Sequence, residues 1–262
     1  MMQAFSQLPH PLQALLATLF TWGITAAGAA MVFCCKNIRH DVLDGLLGAS
    51  AGVMLAAAFW SLLSPAIEMA RKMGRVPWLP ALIGLSLGAL GLYAADRLLL
   101  RLERRGDTPY HTKKRMTLLI ASITLHNIPE GLAVGVAFGS LLYGLDGATL
   151  AAACMLALGI GIQNFPEGAA ISLPMRQGGM SCLGSFGMGV LSGVVEPVFG
   201  VLVVLIAAAA GGVMPVLMAL SAGAMMLVVM AEMIPEASGG RDGVLACVLG
   251  YAIMMALDIA LG

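Results

Sequence analysis

Long runs of apolar residues divide this chain into eight segments, which are separated by short polar turns. Each segment has about 20 residues or more, enough for a helix to cross a hydrocarbon core about 30 Å thick. The apolar residues run continuously and do not alternate, which favours membrane helices over barrel strands. We therefore predict an all-α, polytopic membrane protein with eight transmembrane helices in a single domain over 1–262. The predicted spans are 12–33, 43–66, 80–100, 117–140, 147–172, 183–210, 214–236 and 243–262.

The composition agrees with a chain that lies mostly inside a bilayer. Of its 262 residues, 60% are hydrophobic and 11% are charged, and the mean hydropathy is +0.93. Soluble domains have about 25% charged residues. The formal net charge is zero, so we predict a lipid environment and no nucleic-acid partner. The first span follows a segment without basic residues, which predicts a retained helix instead of a cleaved signal.

Lysine and arginine predict the orientation. At the ends of the predicted spans and between them, eleven of these residues fall on one side of the membrane and three, Arg71, Lys72 and Arg75, fall on the other. Because cytoplasmic loops are enriched in Lys and Arg, both termini are expected outside the cytoplasm. The longest polar segment, 101–116, then becomes a cytoplasmic loop. We expect the chain in the inner (plasma) membrane of the cell.

A polar motif occurs twice, once in each of two neighbouring spans. The fourth span contains HNIPEG (126–131) and the fifth contains QNFPEG (163–168). Helical residues three and four positions apart share a face, so the polar side chains of each motif converge. The connection between the spans is short, which makes them antiparallel neighbours. The position level with His126 then falls between 160 and 166, a window that includes Gln163.

Prolines add to the polarity of these spans. Pro129 and Pro166 have no N–H, so the carbonyls of Leu125 and Ile162 need another partner inside the membrane. In the sixth span Glu196 also precedes a proline and contributes a third buried carboxylate.

Carboxylates, amides and one imidazole together indicate a divalent cation. A single polar residue in a membrane helix often only connects helices, whereas this constellation favours a metal site. The imidazole favours zinc and its neighbours over calcium or magnesium. None of the candidate ligands is a cysteine, which argues against a tight structural zinc site. The predicted metal ligands are His126, Asn127, Glu130, Gln163, Asn164, Glu167 and Glu196.

Three further carboxylates predict accessory metal contacts. Glu232 and Glu236 flank Pro235 near the cytoplasmic end of the seventh span, and Glu68 lies near the outer mouth in the second. A proline also precedes Glu68, so spans two and seven carry related patterns in opposite orientation. This favours inverted repeats formed by spans one to three and six to eight.

With these two motifs in adjacent spans, the sequence resembles the ZIP (Zrt-/Irt-like protein) family of divalent metal transporters, in particular its GufA-like bacterial branch. The resemblance covers nearly the whole chain and implies a binuclear metal site in the transport pathway. By motif position, Glu130 and Glu167 would bridge the two metals. Besides these two bridging residues, the ligands of the first metal would be His126 and Gln163. The further ligands of the second metal would be Asn127, Asn164 and Glu196.

The resemblance also implies a 3+2+3 arrangement of helices and a homodimer. Spans one, four, five and six would slide as an elevator against spans two, three, seven and eight. The chain departs from many relatives at Gln163, where they have histidine, and near Asn164, where they have an acidic residue. The second metal position is therefore expected to be the weaker one.

The function predicted from these observations is zinc uptake toward the cytoplasm. One alternative is a broad-range iron, manganese and cadmium permease. Another is a cation exchanger of the Asn-Pro-Glu type, which His126 disfavours because such sites use oxygen ligands. An intramembrane metalloprotease would need a motif such as HExxH, which the chain lacks, so no enzymatic activity is predicted. No cofactor is expected beyond the transported ion, zinc or alternatively cadmium, iron, manganese or cobalt.

Overall fold

The computed structural model describes residues 5–35, 40–104, 111–143, 149–210, 212–237 and 241–261. Within these ranges the regular structure is helical and contains no strand, which confirms the all-α prediction. We number the helices α1 (His10–Ala29, continued by Met31–Cys34), α2 (His40–Ala56, Ala57–Leu63 and Ser64–Lys72), α3 (Trp78–Arg104), α4 (His111–Ser140), α5 (Leu150–Gln177), α6 (Cys182–Ser192 and Val195–Ala209), α7 (Met214–Val228, Val229–Met233 and Ile234–Ala237) and α8 (Arg241–Leu261).

Seven of these helices are long and apolar enough to cross a membrane: α1, α2, α3, α5, α6, α7 and α8. This confirms a polytopic membrane protein. Helix α4 has 30 residues but is not among the seven found in the described part of the chain. It begins with Lys113, Lys114 and Arg115 and carries the polar HNIPEG motif at its centre. The count of eight spans therefore stays a prediction.

Two helices extend into the segment that was predicted as a cytoplasmic loop. Helix α3 continues to Arg104 and α4 already begins at His111, so 101–104 and 111–116 are helical. Lys, Arg and Glu are good helix formers, so a helix continues readily beyond the apolar window. The remainder of the predicted loop, 105–110, lies outside the described residues.

Helices α2 and α7 share an interruption that the hydropathy pattern did not predict. Each contains a π-helical segment, Ala57–Leu63 in α2 and Val229–Met233 in α7. Each segment ends two residues before a proline, Pro65 or Pro235. Proline removes a backbone donor, and a wider turn accommodates that loss.

The helices pack mainly in four pairs: α1 with α5, α4 with α6, α2 with α8, and α3 with α7. If α1, α2 and α3 are exchanged with α6, α7 and α8, and α4 is exchanged with α5, the α1–α5 pair becomes the α6–α4 pair. The same exchange turns the α2–α8 pair into the α7–α3 pair. The pairing thus has the pattern expected of inverted repeats. Glycines bring the backbones together in each pair: Gly28 against Phe165, Gly135 against Gly200, Gly52 against Cys247, and Gly88 against Leu220.

These pairs form two groups of four helices. In one group α1 contacts α4, α5 and α6, and in the other α7 contacts α3 and the π-helical segment of α2. The groups meet where α2 packs on α5 and where α7 packs on α4. The motif-bearing helices α4 and α5 therefore lie at the boundary between the two groups.

Candidate metal site

A cavity of about 380 Å³ lies between α2, α4, α5 and α7 and is lined by residues of both sequence motifs. His126, Asn127 and Glu130 line it from α4, Glu167 lines it from α5, and Glu232 lines it from α7. The rest of its wall is largely apolar and includes Pro174 and Met175 near the end of α5. The cavity thus extends from the two motifs toward the side predicted to be cytoplasmic.

Glu130 joins the two motif-bearing helices. Its Oε1 accepts a hydrogen bond from Gln163 Nε2 at 3.0 Å. The carboxyl group is 1% exposed and interacts electrostatically with Glu167 and Glu196. The structure therefore brings together the three carboxylates of α4, α5 and α6.

Glu196 is fully buried and is surrounded by hydrogen-bond donors. Asn164 Nδ2 lies 3.1 Å from its Oε1 and 3.2 Å from its Oε2. The hydroxyl of Thr21 donates to Oε2, and the hydroxyl of Thr25 lies 3.5 Å from Oε1. Residues from α1 and α5 therefore hold this carboxylate of α6.

Five buried polar atoms of the predicted ligands have no hydrogen-bond partner among the described residues. Buried polar groups in folded proteins are almost always paired, so a cluster of unpaired ones requires an explanation. Four of the five are oxygens, which are ligand atoms for divalent cations. The atoms are Asn127 Nδ2, Glu130 Oε2, Gln163 Oε1, Asn164 Oδ1 and Glu167 Oε1.

The imidazole of His126 faces α7. Its Nε2 lies 3.0 Å from Glu232 Oε1, and the two side chains are 18% and 43% exposed. Sequence reasoning placed Glu232 in an accessory site, and the structure puts it in the same cavity as the main candidates.

The other two accessory candidates are not brought to this cavity by any described contact. Glu68 has a 44% exposed side chain and pairs with Arg71 one turn further along α2. The side chain of Glu236 lies outside the described residues. No group of three or more His, Cys, Asp or Glu side chains arranged to hold a metal occurs within the described ranges. Three of the seven predicted main ligands are amides, which such a group does not include.

Sequence reasoning missed three hydroxyl side chains around the site. Thr21 and Thr25 contact Glu196, and Ser50 Oγ of α2 donates to the backbone oxygen of Gln163 at 3.2 Å. A signal for the threonines was present, because Thr18, Thr21 and Thr25 are spaced by three and four residues in an apolar span. That spacing places polar groups along one helix face, and all three side chains are buried.

Several known proteins of similar sequence are zinc transporters. A family model described as ZIP Zinc transporter matches residues 103–258. The zinc transporter ZIP11 of Homo sapiens is 38% identical over 334 aligned positions, covering 95% of this chain and 97% of that protein. The zinc transporter GufA of Myxococcus xanthus is 32% identical, covering 95% and 98%. The zinc transporter ZIPB of Bordetella bronchiseptica is 35% identical, covering 91% and 78%.

Proposed function

Since this chain belongs to the ZIP family of metal transporters, we propose that it carries divalent transition-metal ions, above all zinc, across the membrane toward the cytoplasm. Membership of a transporter family confirms the prediction that the chain is not an enzyme. The observation that supports the site is the cluster of unpaired buried oxygens contributed by α4 and α5.

We place two metal positions side by side in this cluster. The first is formed by His126, Glu130, Gln163 and Glu167, and the second by Asn127, Glu130, Asn164, Glu167 and Glu196. Glu130 and Glu167 serve both positions, which is supported by the direct interaction between their two carboxyl groups. Mixed carboxylate, amide and imidazole ligands suit an ion that must also be released.

Glu232 extends this pathway toward the cytoplasm. It lies beside His126 and lines the same cavity, but its side chain is more exposed. An ion that leaves the first position would meet the Glu232 carboxylate next. We therefore propose Glu232 as an exit ligand.

We propose that the ion crosses by movement of α1, α4, α5 and α6 relative to α2, α3, α7 and α8. The division of the helix contacts into these two groups supports such a movement. Ser50 donates to the Gln163 backbone across their boundary, so this bond would break when the groups slide. We further propose a homodimer in the inner membrane with both termini outside the cytoplasm, on the basis of the family and the distribution of Lys and Arg.

Uptake of radioactive zinc into proteoliposomes tests this function. We expect saturable uptake that unlabelled cadmium, iron, manganese and cobalt inhibit to different extents. Equal inhibition by iron, manganese and cadmium would favour the broad-range permease. Uptake that requires an opposing sodium gradient would favour the exchanger, and no uptake above protein-free vesicles would reject metal transport.

A further inference from the structure

Helix α1 reaches the site although it carries none of the predicted ligands. Thr21 and Thr25 lie one turn apart on the buried face of α1 and are 0% and 1% exposed. Both hydroxyls approach the carboxylate of Glu196, one at each oxygen. The Thr21 hydroxyl also lies 3.0 Å from the Thr18 carbonyl, but its contact with Glu196 is the shorter one. The Thr25 hydroxyl lies 3.3 Å from the Thr21 carbonyl and 3.5 Å from Glu196, so its contact with the carboxylate is the secondary one.

Glu196 stands beside a break in its own helix. The first half of α6 ends at Ser192 and the second half begins at Val195, so Glu196 occupies the first turn of the second half. An acidic residue in this turn is stabilised by the free N–H groups of the helix end. The break aims the carboxylate at α1 and α5.

Helix α1 also contacts the other side of this break. Trp22 Nε1 donates to the carbonyl of Val190 at 2.7 Å, so neighbouring residues of α1 hold both halves of α6. A side chain at Gly193 would approach the Trp22 ring and Glu196 Oε1, which keeps this corner closed to larger residues. The position of Glu196 is therefore determined by α1 as well as by its own helix.

One polar atom beside Glu196 takes no part in these hydrogen bonds and is available to an ion. Asn164 donates through Nδ2 to Glu196, while its buried Oδ1 has no partner. The four contacts of Glu196 match the about four lone-pair positions of a carboxylate, so an ion that binds Glu196 displaces one of the longer contacts while the short contact with Thr21 remains. Hydrogen bonds of this kind orient metal-binding carboxylates, and their loss typically lowers metal affinity about 10–100-fold.

We propose that Thr21, assisted by Thr25, is a positioning residue for the second metal position, where its hydroxyl holds the Glu196 carboxylate in the orientation that binds the ion. This inference rests on the proposed transport function and assigns α1 a part in the affinity of one position. The first position contains no group that Thr21 contacts, so the two positions should respond differently to its loss.

The test compares three variants of the full-length protein purified in detergent. Thr21→Val removes the hydroxyl and keeps the shape, and Thr21→Ser keeps the hydroxyl. Thr18→Val is the matched control, because the described hydrogen bonds of the Thr18 hydroxyl go to the carbonyls of Ala14 and Leu15 on its own helix. Zinc binding is measured by titration calorimetry, and zinc uptake is measured in proteoliposomes.

We expect wild type to bind two zinc ions. Thr21→Val should bind the first ion normally and the second about 10–100-fold more weakly. Thr21→Ser and Thr18→Val should match wild type. Thr25→Val provides an independent test if Thr21→Val does not fold, with a smaller loss expected because its contact with Glu196 is 3.5 Å long.

Wild-type binding of the second ion by Thr21→Val and Thr25→Val would overturn this inference and leave the transport function intact. Equal weakening in Thr18→Val would also overturn it, because the effect would then come from helix packing. A wild-type protein that transports zinc but binds a single ion would overturn it as well. A wild-type protein that neither binds nor transports divalent metals would reject the proposed function itself.

Discussion

Among single residues, Glu167 is shared by both proposed metal positions, and one of its buried oxygens has no partner. We predict that Glu167→Ala reduces zinc uptake to the level of protein-free vesicles, because the change removes negative charge from two cations at once. The measurement is initial zinc uptake in proteoliposomes at matched protein content, after gel filtration has shown that the variant is folded.

Glu68→Ala is the matched control for that variant. It removes a carboxylate that is 44% exposed and pairs with Arg71 on its own helix. Uptake by Glu68→Ala should stay close to wild type. The shared role of Glu167 would be wrong if Glu167→Ala transported zinc as fast as this control.

His126 is the only aromatic nitrogen ligand proposed, so it should decide which metals are preferred. We predict that His126→Asp lowers zinc uptake relative to manganese uptake, because imidazole favours zinc and carboxylate oxygens favour harder cations. The new carboxylate would also face Glu232, which lies 3.0 Å from the imidazole in wild type. Paired zinc and manganese uptake gives the ratio for wild type and variant.

An unchanged ratio would show that His126 is not a direct ligand during transport. Loss of both fluxes would show that the geometry at this position matters more than the type of ligand atom. His126→Ala, tested beside His126→Asp, separates removal of the ligand from its replacement.

The repeated motif was enough to predict that His126, Asn127, Glu130, Gln163 and Glu167 lie near one another, because helical spacing and a short connection determine their faces. The repeated motif was not enough to predict that Thr21 contacts Glu196. A threonine in a helix can donate to its own backbone three or four residues earlier, as Thr18 does, so its sequence does not reveal its partner. A proline-glutamate pattern likewise does not determine which way a side chain faces, and Glu68 pairs with Arg71 in the structure, so its accessory role stays a prediction.

At the scale of helices, the α1–α5 contact depends on the absence of a side chain at Gly28. A Cβ at this position would overlap the backbone of Phe165, which cannot move away as a flexible side chain could. We predict that Gly28→Ala destabilises the protein by at least about 1–3 kcal/mol, the usual cost of overpacking. Thermal unfolding in detergent measures the loss.

Gly23 offers the control on the same helix. No described atom lies within 4 Å of a Cβ built at this position. Gly23→Ala should therefore unfold at or slightly above the wild-type temperature, since alanine favours helix over glycine. Equal destabilisation by both changes would contradict a specific close contact at Gly28.

The ends of some helices were easier to predict than the interruptions within helices. Predicted and observed ends of α1 and α8 differ by only one or two residues, because the loss of apolar residues marks the membrane boundary. The break in α6 at Gly193 and Val194 lies inside a segment that hydropathy predicts as one continuous span, and its local signals are Gly193 itself and Pro197, which follows Glu196. The same holds for the π-helical segments, whose only local signal is the proline that follows each.

For the whole molecule, we predict that zinc uptake falls as the external pH is lowered from about 7.5 to about 5.5. Protons and metal ions compete for the same imidazole and carboxylate groups, so acid should weaken binding and alkali should restore it. The measurement is initial uptake at several pH values with zinc buffered at one free concentration. Uptake that stays constant across this range would contradict an imidazole ligand in the pathway.

The polar centre of α4 has a consequence for biosynthesis. The ribosome completes α4 before α5 and α6 exist, so Glu130 reaches the translocon before Gln163, its hydrogen-bond partner in the folded protein. A charged residue at the centre of an isolated helix costs about 2.5–3.5 kcal/mol on insertion. We therefore expect α4 to enter the lipid only once α5 has followed it, so that the groups proposed to move the metal also impose an order on assembly.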